Sequence, residues 1–129
     1  MTDRGMRTPL AKVRGLGSAK GGTQHFWLQR LTAIALIPLT VWFALSIASL
    51  ASADQGAVQS WMQSPLSATL MISFLVAGFW HMKLGIQVVI EDYVHGEAAK
   101  ITCLIANSLV SIFLGLAATL SVLKMLLGS

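Results

Sequence analysis

One histidine, His81, stands deep in an apolar run that opens at Leu66, and an Asp92-Tyr93 pair closes the same stretch. An imidazole offers a metal-binding lone pair or a proton-carrying site. In hydrocarbon it needs a partner, so an ionisable residue there is a functional candidate by default. At about 100° per residue, Phe74, Gly78, His81, Gly85, Val88 and Asp92 fall on one helical face. Two glycines therefore flank the histidine, one turn away on either side. They remove side-chain bulk where something flat and wide could lie against the helix. Asp92 is further along that face, about 16 Å from His81 at a rise of about 1.5 Å per residue.

Each of these residues has a bland reading and a sharper one. His81 is either a structural hydrogen-bonding residue or a haem ligand, and the flanking glycines favour the ligand. A bis-histidine haem needs two imidazoles at similar depth on facing helices, and this chain offers one. His25 and His95 lie near the membrane edge, with His95 about 21 Å along the axis from His81. A haem held here would draw its other axial ligand from a second chain, which makes this protein a subunit. Asp92-Tyr93 is either a helix-end acid beside an interfacial aromatic anchor or part of a quinone site. In the second case the tyrosine hydroxyl donates to a quinone carbonyl, and the carboxylate orients that network or relays protons. Spacing alone leaves both open. Arg30 sits up to two turns inside its helix; it either snorkels toward phosphates or pairs with an anionic group such as a cofactor carboxylate, and spacing alone favours snorkelling. Lys83, Gln87 and Glu91 form a stripe roughly opposite His81, read as a polar contact with another subunit or a snorkelling lysine rather than as catalysis.

The elements that must position these residues follow from composition. The chain has 129 residues, of which 55% are hydrophobic and 11% charged; a soluble domain carries about a quarter charged residues. Three apolar runs remain, each able to cross a hydrocarbon core of about 30 Å, which takes about 20 helical residues. The fold class is an all-α integral membrane protein with spans at about 23–50, 65–93 and 97–126, within an anchor domain 23–129. The net charge of +4 comes mostly from Arg4, Arg7, Lys12, Arg14 and Lys20. Basic residues beside the first span stay cytoplasmic, which is favoured over a nucleic-acid or acidic-lipid patch. Residues 1–22 read as a flexible basic cytoplasmic arm, and the odd number of spans puts the C-terminus on the outer, periplasmic side. The arm is not a cleavable signal, because the apolar run after it is too long.

Local signals divide the runs. Thr23 is a candidate cap for the first span, and Pro38 predicts a bend within it. Residues 51–63 lack Lys and Arg and suit an outer loop, with a short interfacial turn at 58–62. Ser64-Pro65 reads as a capping serine before an N1 proline, and His95-Gly96 as a helix stop. The short turn makes spans 2 and 3 antiparallel neighbours. Span 3 carries small residues suited to close packing, and Asn107 is placed to bond across helices. Cys103, the single cysteine, reads as a small buried apolar residue. There is no glycine-rich phosphate loop, zinc spacing or nucleophile motif.

The pattern His81-x3-Gly85-x6-Asp92-Tyr93, with Gln87-Val88 between, resembles the signature of the succinate dehydrogenase hydrophobic membrane anchor subunits, the small D-type subunits of respiratory complex II. Gln29-Arg30-Leu31-Thr32-Ala33-Ile34 resembles that family's Arg-x-Thr-Ala-Ile pattern. The resemblance covers about Phe26 to His95; residues 1–22 and span 3 match in character only. It implies a membrane anchor of succinate:ubiquinone oxidoreductase, a complex of the tricarboxylic acid cycle and the respiratory chain. His81 would be one axial ligand of haem b iron, the other coming from the larger cytochrome b anchor. Arg30 would lie near the haem propionates, which lifts its functional reading above snorkelling. Tyr93 would hydrogen-bond ubiquinone, with Asp92 supporting it. The other partners would be a flavoprotein and an iron–sulfur subunit, in a lipid bilayer and without nucleic acid. The chain alone would oxidise nothing. The expected location is the bacterial inner membrane, ahead of the mitochondrial one. Two rivals stand beside this reading: the anchor of a quinol:fumarate reductase, and a non-redox transporter subunit with His81 in a proton path.

Overall fold

A computed structural model describes residues 20–128, with side chains from residue 22 onward. The expected basic arm therefore lies almost wholly outside the described residues, as does Ser129. Helix α1 spans Lys20–Leu50, α2 Gln55–Gln63, α3 Pro65–Tyr93 and α4 Glu97–Leu126. Helices α1, α3 and α4 are each long and apolar enough to cross a membrane. The nine residues of α2 reach only about 14 Å and do not span.

Several local expectations change. Helix α1 already runs at Lys20, so Thr23 is inside it rather than its cap, and Pro38 does not interrupt it. The expected outer loop holds a nine-residue helix. Asp54 starts it: its Oδ1 accepts the Ala57 N–H at 2.9 Å, satisfying a donor that the first helical turn leaves bare. Ser64 does not cap α3 with its side chain. It holds the N-cap position through its backbone, its carbonyl accepting the Ala68 N–H at 2.9 Å, and it also ends α2 by donating its own N–H to the Trp61 carbonyl. Gly96 does not close α3 in a left-handed turn; it is extended (φ −71°, ψ 126°) and precedes α4. The left-handed glycine is Gly128, at φ 76°, just past the end of α4.

Helix α3 is the middle of the bundle, packed along α1 on one side and α4 on the other, with α2 touching α3 and α4. The tightest core is at the α2 end, where Met62, Ala68, Met71 and Val122 are buried. Trp42 stacks on Trp61 and Phe43 on Phe74, with ring centroids 5.8 Å and 4.9 Å apart. Between α3 and α4, Asn107 Nδ2 donates to the Lys83 carbonyl at 2.9 Å, and Ser111 Oγ donates to Asn107 Oδ1 at 3.4 Å. Beside them Gly115 lets Phe79 approach: a Cβ added there would meet the Phe79 ring at 3.5 Å. Hydroxyls that face outward are satisfied within their own helices; Thr69, Ser73, Thr102 and Ser121 each bond a carbonyl four residues back. The rest of the outer surface is bare Leu, Ile, Val and Phe. In lipid such a surface carries no hydrophobic penalty.

Candidate functional site

The α1–α3 seam builds the site. Leu36 faces Gly78, Thr32 faces His81 and Gln29 faces Gly85, so the two helices run antiparallel in a fixed register. The start of α1 therefore lies level with the Tyr93 end of α3. His81 is half-buried, and its Nδ1 is 3.0 Å from Thr32 Oγ1. The same hydroxyl is 2.7 Å from the Leu28 carbonyl and 3.1 Å from that of Gln29. His81 also walls an open groove formed by Ala33, Leu36, Ile37, Thr40 and Val41 of α1. A neighbouring groove continues past Gly78 along Leu36, Thr40 and Phe74.

The glycine face is turned toward α1. A Cβ added at Gly78 would stand 3.9 Å from Leu36 Cδ2, and one at Gly85 4.0 Å from Gln29 Nε2. Both are ordinary contact distances, so packing within this chain does not require glycine at either position. The open space beside His81 lies one side over, along the α1 flank of the seam. Arg30 belongs to that flank: Arg30, Ala33 and Ile37 share a face of α1 by their i, i+3, i+7 spacing. Its guanidinium is exposed, with Cζ 5.3 Å from the Phe26 ring centroid, a cation–π contact at the Tyr93-side end of the groove.

Asp92 and Tyr93 are in the last turn of α3, about 16 Å from His81 along the axis. Both are exposed, and among the described residues neither side chain makes a hydrogen bond. The chain thus holds two separate places, a histidine groove at depth and an acid–phenol pair at the edge. The opposite stripe is self-contained: Gln87 Nε2 donates to Glu91 Oε1 at 2.9 Å, and Lys83 Nζ lies 5.0 Å from the Trp80 ring centroid.

Three residues of the seam escape a reading by type and spacing. Thr32 is the partner His81 needs, and only the antiparallel register of spans 1 and 2 could have found it. His25 Nε2 and Gln29 Oε1 are buried without a hydrogen-bond partner among the described residues, one turn apart toward the Tyr93 end.

With this geometry in place, the comparisons agree in kind. The family model for the succinate dehydrogenase/fumarate reductase transmembrane subunit matches residues 4–122. The chain is similar to the succinate dehydrogenase hydrophobic membrane anchor subunit of Rickettsia bellii (strain RML369-C). The two are 32% identical over 106 residues, covering 82% of this chain and 85% of that protein. The subunit of the same name from Paracoccus denitrificans is 33% identical over 93 residues, 72% of each chain. The succinate dehydrogenase membrane anchor subunit of Reclinomonas americana is 31% identical over 96 residues, covering 72% of this chain and 80% of that protein.

Proposed function

The chain belongs to the succinate dehydrogenase/fumarate reductase transmembrane subunit family, and from that premise we propose that it anchors a succinate:ubiquinone oxidoreductase in the bacterial inner membrane, supplying one axial ligand of haem b and part of the ubiquinone site. One observation carries the reading: a single imidazole, held at Nδ1 by Thr32, in the wall of an apolar groove that α1 and α3 leave open. The donor set fits a haem on this side. His81 has a ring nitrogen not used by Thr32, the groove walls are apolar apart from Thr40, and Arg30 stands toward the groove's end to meet carboxylates. Gly78, one turn from His81, also lines the neighbouring groove.

When bound, the haem supplies a one-electron redox centre, and the protein's part is to hold it and tune it. Ala33, Leu36, Ile37 and Val41 exclude water from the ligand nitrogen. A second ligand for the haem would have to come from the cytochrome b anchor, since this chain has no other histidine at that depth. At the edge, the Tyr93 hydroxyl donates to a ubiquinone carbonyl, and Asp92 supports that network. Electrons from succinate would reach this site through the flavoprotein and iron–sulfur subunits. The relatives' names favour succinate oxidation over the quinol:fumarate direction. Membership of the family sets the transporter reading aside.

A reduced-minus-oxidised visible spectrum of membranes with and without this chain tests the reading. A b-type band that depends on the chain is expected. The same band in its absence would overturn the haem assignment.

A further inference from the structure

We propose that Thr32 is the positioning residue of the haem ligand: its hydroxyl takes the Nδ1 proton of His81 and passes the bond on to the Leu28 carbonyl, which aims the Nε2 lone pair into the groove and makes it a stronger donor. This rests on the haem reading of His81.

The donor roles follow from counting protons. A threonine hydroxyl has one hydrogen and two lone pairs. Its shortest contact is 2.7 Å to the Leu28 carbonyl, which can only accept, so the hydroxyl hydrogen belongs there. The 3.0 Å contact to His81 must then run the other way, with Nδ1–H donating to Oγ1. The opposite assignment fails twice. It would surrender the 2.7 Å bond, and it would put the N–H on Nε2, which makes no hydrogen bond among the described residues, in a groove whose walls are Ala33, Leu36, Ile37, Thr40 and Val41. An unpaired donor in hydrocarbon is costly. With Nδ1 protonated, the lone pair is on Nε2, the form that a metal takes. A histidine ligand ordinarily donates its other ring N–H to an acceptor, which fixes ring orientation and raises ligand basicity. Here the acceptor is on α1 and the ligand on α3, so the interhelical register itself sets the ligand. The chain Nδ1–H···Oγ1–H···O=C is polarised in one direction, each bond strengthening the next.

The consequence is electronic. A more basic imidazole stabilises ferric over ferrous iron and holds the midpoint potential down. Removing the hydroxyl raises that potential and loosens the haem, since loss of such a partner weakens metal binding on the order of 10–100-fold.

The test uses the whole purified complex, with Thr32→Val (same shape, no hydroxyl), Thr32→Ala and Thr32→Ser (hydroxyl kept), beside His81→Leu. The readouts are the haem midpoint potential, the low-spin ferric electron paramagnetic resonance spectrum and the haem-to-flavin ratio. Val and Ala should both raise the potential, shift the g values and lower haem retention. Ser should stay close to wild type. A wild-type potential and spectrum in Val or Ala would overturn the proposal. Loss of assembly in both, with Ser assembled, would make Thr32 a packing residue and overturn it equally. If His81→Leu loses or alters the haem spectrum while Val does not, this proposal alone fails. If His81→Leu leaves the spectrum unchanged, the haem reading falls, and this proposal with it.

Discussion

A phenol can anchor a helix end or bind a quinone, and Tyr93 separates the two at the level of one oxygen atom. Its side chain is 76% exposed on this chain, so its hydroxyl is open to a ligand or another subunit. Tyr93→Phe keeps the ring and deletes only the donor. An anchor should barely register that, since surface changes usually stay within about 0.5 kcal/mol. A donor to a developing charge should lose about 2–4 kcal/mol, or roughly 30- to 1000-fold in succinate-to-quinone turnover, with assembly and haem content intact. Asp92→Asn should give a milder loss, because it disturbs the support rather than the donor. Normal ubiquinone reduction in Tyr93→Phe membranes would return Asp92-Tyr93 to a helix-end anchor. The pair was legible from residue type alone, as was His81, because both stand out against an apolar background. Thr32 was not: a hydroxyl in a membrane helix most often bonds its own backbone. Its contact to His81 exists only once Thr32 and His81, 49 positions apart, are brought level.

At the scale of elements, the contact between α3 and α4 includes a polar bond at Asn107 and a close approach at Gly115, and the two should fail differently. Asn107→Leu removes the donor to the Lys83 carbonyl. Interhelical bonds of this kind average about 0.6 kcal/mol in membranes, because the freed groups find other partners. Gly115→Leu instead drives a side chain into the Phe79 ring, where even a Cβ would sit at 3.5 Å. Overpacking of that sort costs about 1–3 kcal/mol. Heating the purified complex and following quinone reductase activity should therefore show a small loss of thermal tolerance for Asn107→Leu and a larger one for Gly115→Leu. The reverse order would mean that α4 is held by something outside this seam. The apolar runs made α3 and α4 readable, since spans of that length leave few choices. Helix α2 was readable only as a short turn at 58–62, because nine residues carry too short a pattern; the Asp54 cap starts it and Trp61 and Met62 tie it to the core. The helix break expected at His95-Gly96 is present, since α3 ends at Tyr93 and α4 begins at Glu97, but Gly96 does not make it with a left-handed turn. Val94 already closes α3 by donating to the Ile90 carbonyl, so no left-handed residue was needed.

For the whole molecule, the antiparallel register ties sidedness to function. Because α1 and α3 pair with Thr32 level with His81, the start of α1 and Tyr93 lie at one end of the bundle. Helix α2, Asp54 and the end of α4 lie at the other. The basic residues Arg4, Arg7, Lys12 and Arg14 precede α1 and Lys20 opens it, whereas residues 51–64 contain no Lys or Arg. By the positive-inside bias the Tyr93 end would lie on the cytoplasmic side, where soluble electron-donating subunits would dock. The same bias would put the end of α4 outside, since three helices long and apolar enough to cross lie between the start of α1 and that end, and the nine-residue α2 adds none. Alkaline phosphatase, which is active only outside the cytoplasm, should be active when fused after Ser129 and inactive when fused after His95. A reporter inserted at Asp54 should again be active. Activity at His95 with silence at Ser129 would invert the bundle. It would carry Tyr93 away from any cytoplasmic electron donor, and the quinone site proposed for Asp92-Tyr93 would lose its source of electrons.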